Sequence, residues 1–476
     1  MSFSTSRRLL PERFQIVLRS FGQKPGLPFS DVLSEETIQA AFDAEGVDFA
    51  KDDDGIYTPS LTLWAWLSQS LFKDEHRSCA AAVARVVTML IALGRKPCSD
   101  NTGTYCKARA KIPEAVIRRL VYGVADGCQR GLPNESLWMD EHTVHLVDGS
   151  TMSMPDTWAN QEAYPQSSSQ KEGLGFPMVR ILLLLSLATG MSTGMALAPC
   201  QGKETGETAL LRQLLDRLKA GDIVLGDRYF CSYFMICLLQ ELGVHVVTRL
   251  HQKRTADFRR GKRVAAGDHI VEWQRPDRPE WMDQATYDRM PASISVREVE
   301  VAVPPRKGFR PDVLVVVTTL LDGAKYTRDD LAQLYRRRWL AELDIRAIKC
   351  SMGLDVLRCK SPEMVRTEIW MGLLAYNLIR HTLLQSALAA DKSPRELSFT
   401  AALQKIAAGF TTALLLSEET ASLLIETNQK HLANHRVGHR PDRVEPRANK
   451  RRPKVLALLT KPRAEAKAEL FASKAA

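Results

Sequence analysis

Apolar residues recur at three- and four-residue intervals through Leu61–Phe72, Arg77–Leu93 and Pro113–Gly127, the spacing of one buried helical face. Residues 1–130 therefore read as a mainly helical N-terminal region. Pro113 suits a helix start, where its missing N–H costs nothing. The intervening SDNTGTYCKARAKI is turn-like at first and then basic at Lys107, Arg109 and Lys111. That makes the region a candidate DNA-binding domain, with a plain helical cap on the core as the competing reading.

The pattern then changes. His142–Val147 predicts a short strand running into Asp148-Gly149-Ser150, and Phe176–Leu187 and Met191–Leu197 predict two more strands turned at Gly190. Glu204–Lys219 reads as a helix, Asp222–Leu225 as a strand delivering Gly226 and Asp227, Tyr229–Leu242 as a helix and Val244–Thr248 as a strand. Alternating periods of this kind imply α/β layers. His251–Arg310 is rich in Arg, Lys, Asp and Pro, alternates in Ser293–Val303, and reads as a β-rich insertion. Asp312–Thr318 resumes a buried strand. Thr327–Met352 predicts one long helix, with Thr327 as its cap and Asp329 and Asp330 in an acidic first turn. Val365–Leu388, Pro394–Ala407 and Ser417–Thr427 are helical again. The expected organisation is a helical region over 1–130, a catalytic core over 131–250 and 311–360, a β-rich insertion over 251–310, a helical region over 361–430 and a basic tail over 431–476.

Charge adds a partner class. The formal net charge is +10 over 476 residues, which suits a polyanion, nucleic acid being the commonest; a basic soluble enzyme is the plainer alternative. His431–Lys454 holds eight Arg or Lys against Asp442 and Glu445, and Pro441, Pro446 and Pro453 disfavour a regular helix. It reads as a flexible basic tail or an arm along DNA, with plain solvated surface as the competing reading. The nine cysteines are scattered without a CxxC pair, which argues against a zinc finger and a disulfide scaffold and for a reducing compartment. His431, His435 and His439 are evenly spaced, but Gly438 and Pro441 argue against a rigid zinc site. The most apolar run, Ile181–Leu187, is far short of the roughly 20 residues that cross a bilayer. MSFSTSRRLL lacks a following apolar segment, so a soluble intracellular protein is expected.

Three acidic residues carry the candidate chemistry. Asp148 lies in HLVDGSTM and Asp227 in IVLGDRYF, each following a strand, and Glu342 lies in the predicted long helix, YRRRWLAELDIRAIK. Carboxylates at neighbouring strand ends share one sheet edge, and a helical carboxylate can complete the cluster. Bare, they would repel; Mg²⁺, hard and oxygen-seeking, relieves that repulsion and serves in-line phosphodiester displacement. The plainer alternative gives Asp148 a turn, Asp227 an ion pair with Arg228, and Glu342 a surface pair with Arg338. On one continuous helix Tyr335, Arg338, Glu342 and Lys349 fall within about 60° of each other. Such a stripe suits a phosphate-handling surface.

The segment resembles the Y-(2)-R-(3)-E-(6)-K signature of bacterial DDE transposases in the insertion-sequence family numbered four, with Tyr335, Arg338, Glu342 and Lys349 at its four positions. Arg337-Arg338-Trp339 inside it and Gly353-Leu354 after it strengthen the match, and HLVDGSTM and LGDRYF resemble the family's two aspartate segments. The resemblance covers about residues 95–460. It implies an RNase H-like core with a β-rich insertion between Asp227 and Glu342. It implies Asp148, Asp227 and Glu342 as catalytic residues holding Mg²⁺, which Mn²⁺ can replace, and Tyr335, Arg338 and Lys349 as DNA contacts. Its expected partners are duplex DNA with terminal inverted repeats, target DNA and a second copy of the chain on DNA, with Ser417–Thr427 a candidate pairing element. The expected setting is the bacterial cytoplasm, at the nucleoid when bound to DNA. Trp273, Trp281 and Trp339 are candidates to hold a flipped base. Two further readings remain: an RNase H-fold nuclease without end specificity, and a domesticated DNA-binding protein that no longer cuts.

Overall fold

The computed structural model describes residues 33–47, 56–92, 94–302, 313–412, 416, 418–438 and 458–475. Most of the predicted basic arm, with His439, lies outside them, as do the first 32 residues and the Pro304–Asp312 stretch before the last predicted strand.

Among the described residues five helices come first: α1 (Glu35–Ala44), α2 (Pro59–Leu71), α3 (Cys79–Ala92), α4 (Thr102–Ala110) and α5 (Glu114–Arg130). Helix α4 replaces the predicted turn in SDNTGTYCKARAKI. Its polar start is a cap, Asn101 Oδ1 accepting from the Gly103 N–H at 2.8 Å, so turn-forming residues mark a helix boundary here. Pro113 stands one position earlier than expected, as the residue that caps α5.

The core follows as β1 (Val144–Ser153), α6 (Trp158–Ala163), β2 (Met178–Ser186), β3 (Ser192–Pro199), α7 (Glu207–Arg212), β4 (Ile223–Leu225), α8 (Tyr233–Glu241) and β5 (His245–Arg249). The predicted helix over 204–219 is shorter, its ladder giving way to a tight 3-10 turn at Leu215–Arg217. Next come β6 (Lys262–Ala265), β7 (Asp268–Gln274), α9 (Gln284–Arg289), β8 (Ser293–Ala302) and β9 (Val313–Thr318). All nine strands form one sheet in the order β3-β2-β1-β4-β5-β9-β8-β7-β6. β1, β4 and β5 run parallel, flanked by antiparallel β2 and β3 on one side and antiparallel β9 to β6 on the other. This is a mixed α/β fold with an RNase H-like core. β9 pairs with both β5 and β8, so the sheet runs unbroken from the core into the β-rich segment. Within that segment a buried bidentate pair, Arg297 to Asp268 at 2.6 and 2.8 Å, ties β8 to β7.

The predicted helix over 327–352 is broken. Thr327 and Asp330 form a reciprocal capping box at the start of α10 (Arg328–Arg336). At Arg338, Leu340 and Ala341 the N–H groups turn to carbonyls three residues back. α11 (Trp339–Arg346) then passes into a π turn at Ala347–Ser351. Both changes alter the angular spacing, so the ideal stripe of four residues does not survive as drawn. The chain ends in α12 (Pro362–Leu388), α13 (Phe399–Thr412), α14 (Glu418–Asn434) and α15 (Arg463–Ala475), the last inside the segment read as a tail.

Two apolar layers cover the sheet. On one face Leu146, Met152 and Leu183 pack with α1 to α5 and α10 to α13; on the other Val147, Leu184 and Val224 pack with α7 and α8. Helix α12 is buried almost all round and runs between the sheet and the N-terminal helices, which makes both helical regions part of the larger core. Among the described residues no helix is long and apolar enough to cross a membrane.

Candidate active site

β1 and β4 lie side by side, Val144 opposite Ile223 and Leu146 opposite Leu225. Asp148 and Asp227 each lie two residues beyond the last of these pairs, Asp227 in the turn that follows β4. β1 continues along β2 as far as Ser153, so Asp148 lies within a strand rather than at its end, as the sequence had suggested. β4 stops at Leu225, and there the sheet opens beside Asp148. Gly226 permits the close approach: a Cβ on it would lie 2.8 Å from both Val147 Cγ1 and the Phe230 ring.

Strand alternation points Asp148 and Ser150 the same way as Leu146 and Met152, toward the face that α11 covers. Lys349, in the π turn after α11, accordingly donates to Ser150 Oγ at 3.0 Å. Each carboxylate of the predicted trio makes a local bond. Asp148 Oδ1 accepts from the Gly149 N–H at 2.9 Å, Asp227 Oδ1 from the Tyr229 N–H at 2.7 Å, and Glu342 Oε1 from Arg338 Nη2 at 2.9 Å. Asp227 thereby caps the 3-10 turn Arg228–Phe230, while Arg228 reaches Gln252 at 3.3 Å instead of pairing with Asp227. The Arg338–Glu342 pair is the plain i,i+4 bridge that the spacing allowed.

The three groups nevertheless feel one another. Burial pushes the Asp148 carboxyl above its ordinary value; the Gly149 N–H and Arg338 oppose that rise, and the charges of Asp227 and Glu342 add to it. Burial likewise raises the Tyr335 phenol, with Arg338 opposing. Tyr335 is only 9% exposed, so of the four signature residues it has least access to a ligand. Among the described residues no three His, Cys, Asp or Glu side chains are close enough together to hold a metal ion. The donor chemistry still fits a hard divalent cation, since all three groups offer carboxylate oxygen. Arg338, with its fixed charge on Glu342, supplies part of the compensation that a cation would.

Two residues escaped the sequence reading. Glu207, at the start of α7, lies against β1 from the other face: a Cβ on Gly149 would come within 2.2 Å of its Oε1. Burial, then the charges of Asp148 and Asp227, push its carboxyl up, with Arg180 opposing. Nothing local marks it, because it sits in what reads as an ordinary amphipathic helix. The second is Asp344, two residues past Glu342. It is fully buried and holds the guanidinium groups of Arg380 and Arg395, the latter at 2.6 and 2.7 Å. Gly190, with φ of +79°, lies under those two arginines, where a Cβ would clash at 2.8–2.9 Å.

The tryptophans separate as well. Trp273 is 5% exposed, donates to Glu298 Oε1 at 3.0 Å and carries Arg254 at 3.9 Å over its ring. Trp281 lies beneath Arg212 at 3.8 Å. Trp339, beside Arg338, is 55% exposed.

A family model described as "Transposase DDE domain" matches residues 140–378, which takes in β1 through most of α12 and is just over half of the chain. Transposase InsG for insertion sequence element IS4, from Escherichia coli (strain K12), is 25% identical over 285 residues, 59% of this chain and 61% of that protein. The transposase for insertion sequence element IS421 of Escherichia coli is 38% identical over 65 residues, 14% of this chain and 18% of that protein. The chain thus spans less than two thirds of the length of these relatives. Among solved structures, the piggyBac transposase synaptic complex with hairpin DNA aligns over 91% of this chain and 88% of that chain. Its TM-score of 0.43 and 9% identity are too low to bear on the site. With β1, β4 and α11 all inside the matched segment, the chain belongs to the transposase DDE-domain family.

Proposed function

We propose that this chain is the transposase of a bacterial insertion sequence, cutting DNA at the element's ends and joining the freed 3′-hydroxyl to target DNA by a cut-and-paste route. The reading is supported by the pairing of β1 with β4, which leaves Asp148 and Asp227 each two residues past the last matched pair, with Arg338, Glu342 and Lys349 on the segment packed against β1.

Asp148, Asp227 and Glu342 would hold Mg²⁺, with Mn²⁺ able to replace it. Such ions, when bound, activate the attacking water or 3′-hydroxyl and stabilise the leaving oxygen. The protein's own part is positioning. Asp148 and Asp227 are fixed by the sheet and by their backbone hydrogen bonds. Glu342 joins them when Arg338 releases it. Arg338 is then free to fork onto a phosphate, and Lys349 beside Ser150 offers a point charge to the next. Tyr335, packed behind Arg338, steadies that arginine more than it touches DNA. Of the three candidate tryptophans, Trp339 is the one most open to an unstacked base. The partners are duplex DNA bearing terminal inverted repeats, target DNA, and a second copy of the chain on DNA, in the bacterial cytoplasm.

The test is a Mg²⁺ incubation of the full chain with a labelled duplex joining the element's end to flanking DNA, beside an unrelated duplex. Cutting confined to the end–flank boundary supports the proposal. Equal cutting of both duplexes would make the chain a general nuclease, and binding without cutting a silenced copy.

A further inference from the structure

The basic segment Lys107–Lys111 divides in an unexpected way. Lys107 and Lys111 are exposed, but Arg109 turns inward on α4. It enters a cavity of about 110 Å³ between α2, α4 and the segment that joins the π turn to α12. That volume is several times the roughly 10–15 Å³ that one water needs. The cavity is polar, and three guanidinium groups line it: Arg77, Arg109 and Arg358. Glu368 is the only carboxylate among the lining residues.

Glu368 is already engaged. It accepts from the Arg358 and Cys359 N–H groups at 2.9 Å and faces Arg77 Nη2 at 3.4 Å. Arg109 makes no ion pair among the described residues. Its Nη1 reaches Gln69 Oε1 at only 3.3 Å, its guanidinium carbon lies 4.9 Å from the Trp66 ring, and its Nε is buried with no acceptor. A half-buried cation without a counter-charge, carrying a buried orphan donor, is costly unless an anion completes it. Arg77 spends its fork on the Gly353 carbonyl and on Glu368, which leaves the Arg109 and Arg358 guanidinium groups to meet tetrahedral oxygens.

We infer that this cavity binds a phosphate group, held by Arg109 and Arg358 with Arg77 behind them. The site stands apart from the carboxylates and is independent of the proposed reaction. Its phosphate is either free inorganic phosphate or one phosphate of a DNA backbone, since Arg358 is exposed at the rim.

The test uses the full chain, measuring thermal unfolding and titration calorimetry with inorganic phosphate against chloride at equal ionic strength. Phosphate is expected to raise the unfolding temperature of the parent beyond chloride. R109M and R358Q are expected to bind it about ten-fold or more weakly. R358Q alters an exposed side chain, so it remains informative if R109M does not fold. A parent that responds equally to both anions, or an R358Q response equal to the parent's, overturns the inference. Duplex binding across salt concentrations separates the two sources. A slope lower by about one in R358Q identifies a backbone phosphate. An unchanged slope, with inorganic phosphate binding lost, identifies the free anion.

Discussion

Replacing Asp148 or Asp227 with Asn, or Glu342 with Gln, is expected to lower Mg²⁺-dependent DNA cutting by about a thousand-fold or more, with duplex binding retained. The magnitude follows from the several kcal/mol that metal-held charge contributes to a phosphoryl-transfer barrier, each 1.36 kcal/mol being about ten-fold in rate. Binding is expected to persist because the cations proposed to meet phosphate, Arg338 and Lys349, are untouched, and Arg338 loses its carboxylate partner when Glu342 becomes neutral. Stability is expected to move the other way. Burial raises the folded-state value of the Asp148 carboxyl, so the folded metal-free protein holds that proton more tightly than the unfolded chain does. The contribution is present at low pH and is lost as pH rises through the folded value, above the ordinary 3.8. Asp148→Asn removes that loss. Without metal the variant should melt at or above the parent temperature at pH 7, and the difference should close as pH falls. A variant that melts well below the parent would assign Asp148 a structural role, and one that still cuts at the parent rate would remove it from the site.

Asp344→Ala is expected to be the most destabilising single change near the site, by about 3–5 kcal/mol, because it leaves two buried guanidinium groups without their shared counter-charge. Arg380 comes from α12 and Arg395 from the 3-10 turn after it, so Asp344 ties the Glu342 helix to both. Arg395 also donates to the Ser186 and Leu187 carbonyls at the end of β2, which carries the link into the sheet. Asp344→Asn keeps the shape with one acceptor lost and should cost less than the alanine change. Denaturant unfolding of the metal-free protein measures both. A loss under 1 kcal/mol for Asp344→Ala would show that the arginines find other partners and that the helix is held elsewhere.

Much of this was legible in the chain. Short apolar runs ending in Val-Asp-Gly and Leu-Gly-Asp placed Asp148 and Asp227 beside strands, and those strands, β1 and β4, are neighbours in the sheet. The Thr327 cap was readable because an N-cap is a local interaction. What failed was long-range. Periodicity assumes an unbroken helix, and the tight turn near Arg338 and the π turn at Ala347 carry no marker such as Pro or Gly. Strand length failed at β1 because the extra residues are stabilised by β2, whose partners lie 25 to 35 positions away in sequence. Glu342 and Asp344 look alike in the sequence, yet one makes a half-exposed pair with Arg338 and the other is sealed between two arginines. Only the packing of α11 distinguishes them. Arg109 stands with Lys107 and Lys111 in the basic run of a candidate DNA-binding region, and only the fold turns it toward a cavity.

The central claim, that Asp148, Asp227 and Glu342 form one metal site on a DNA-cutting surface, is tested most directly by locating Mn²⁺. The measurement is anomalous scattering from crystals of the chain bound to a duplex of the element's end. The account predicts an anomalous peak bonded to Asp148 and Asp227, with Glu342 swung off Arg338 to join it and Arg338 on a phosphate. Mn²⁺ bound elsewhere, or Glu342 still paired with Arg338 while DNA fills the site, would contradict it.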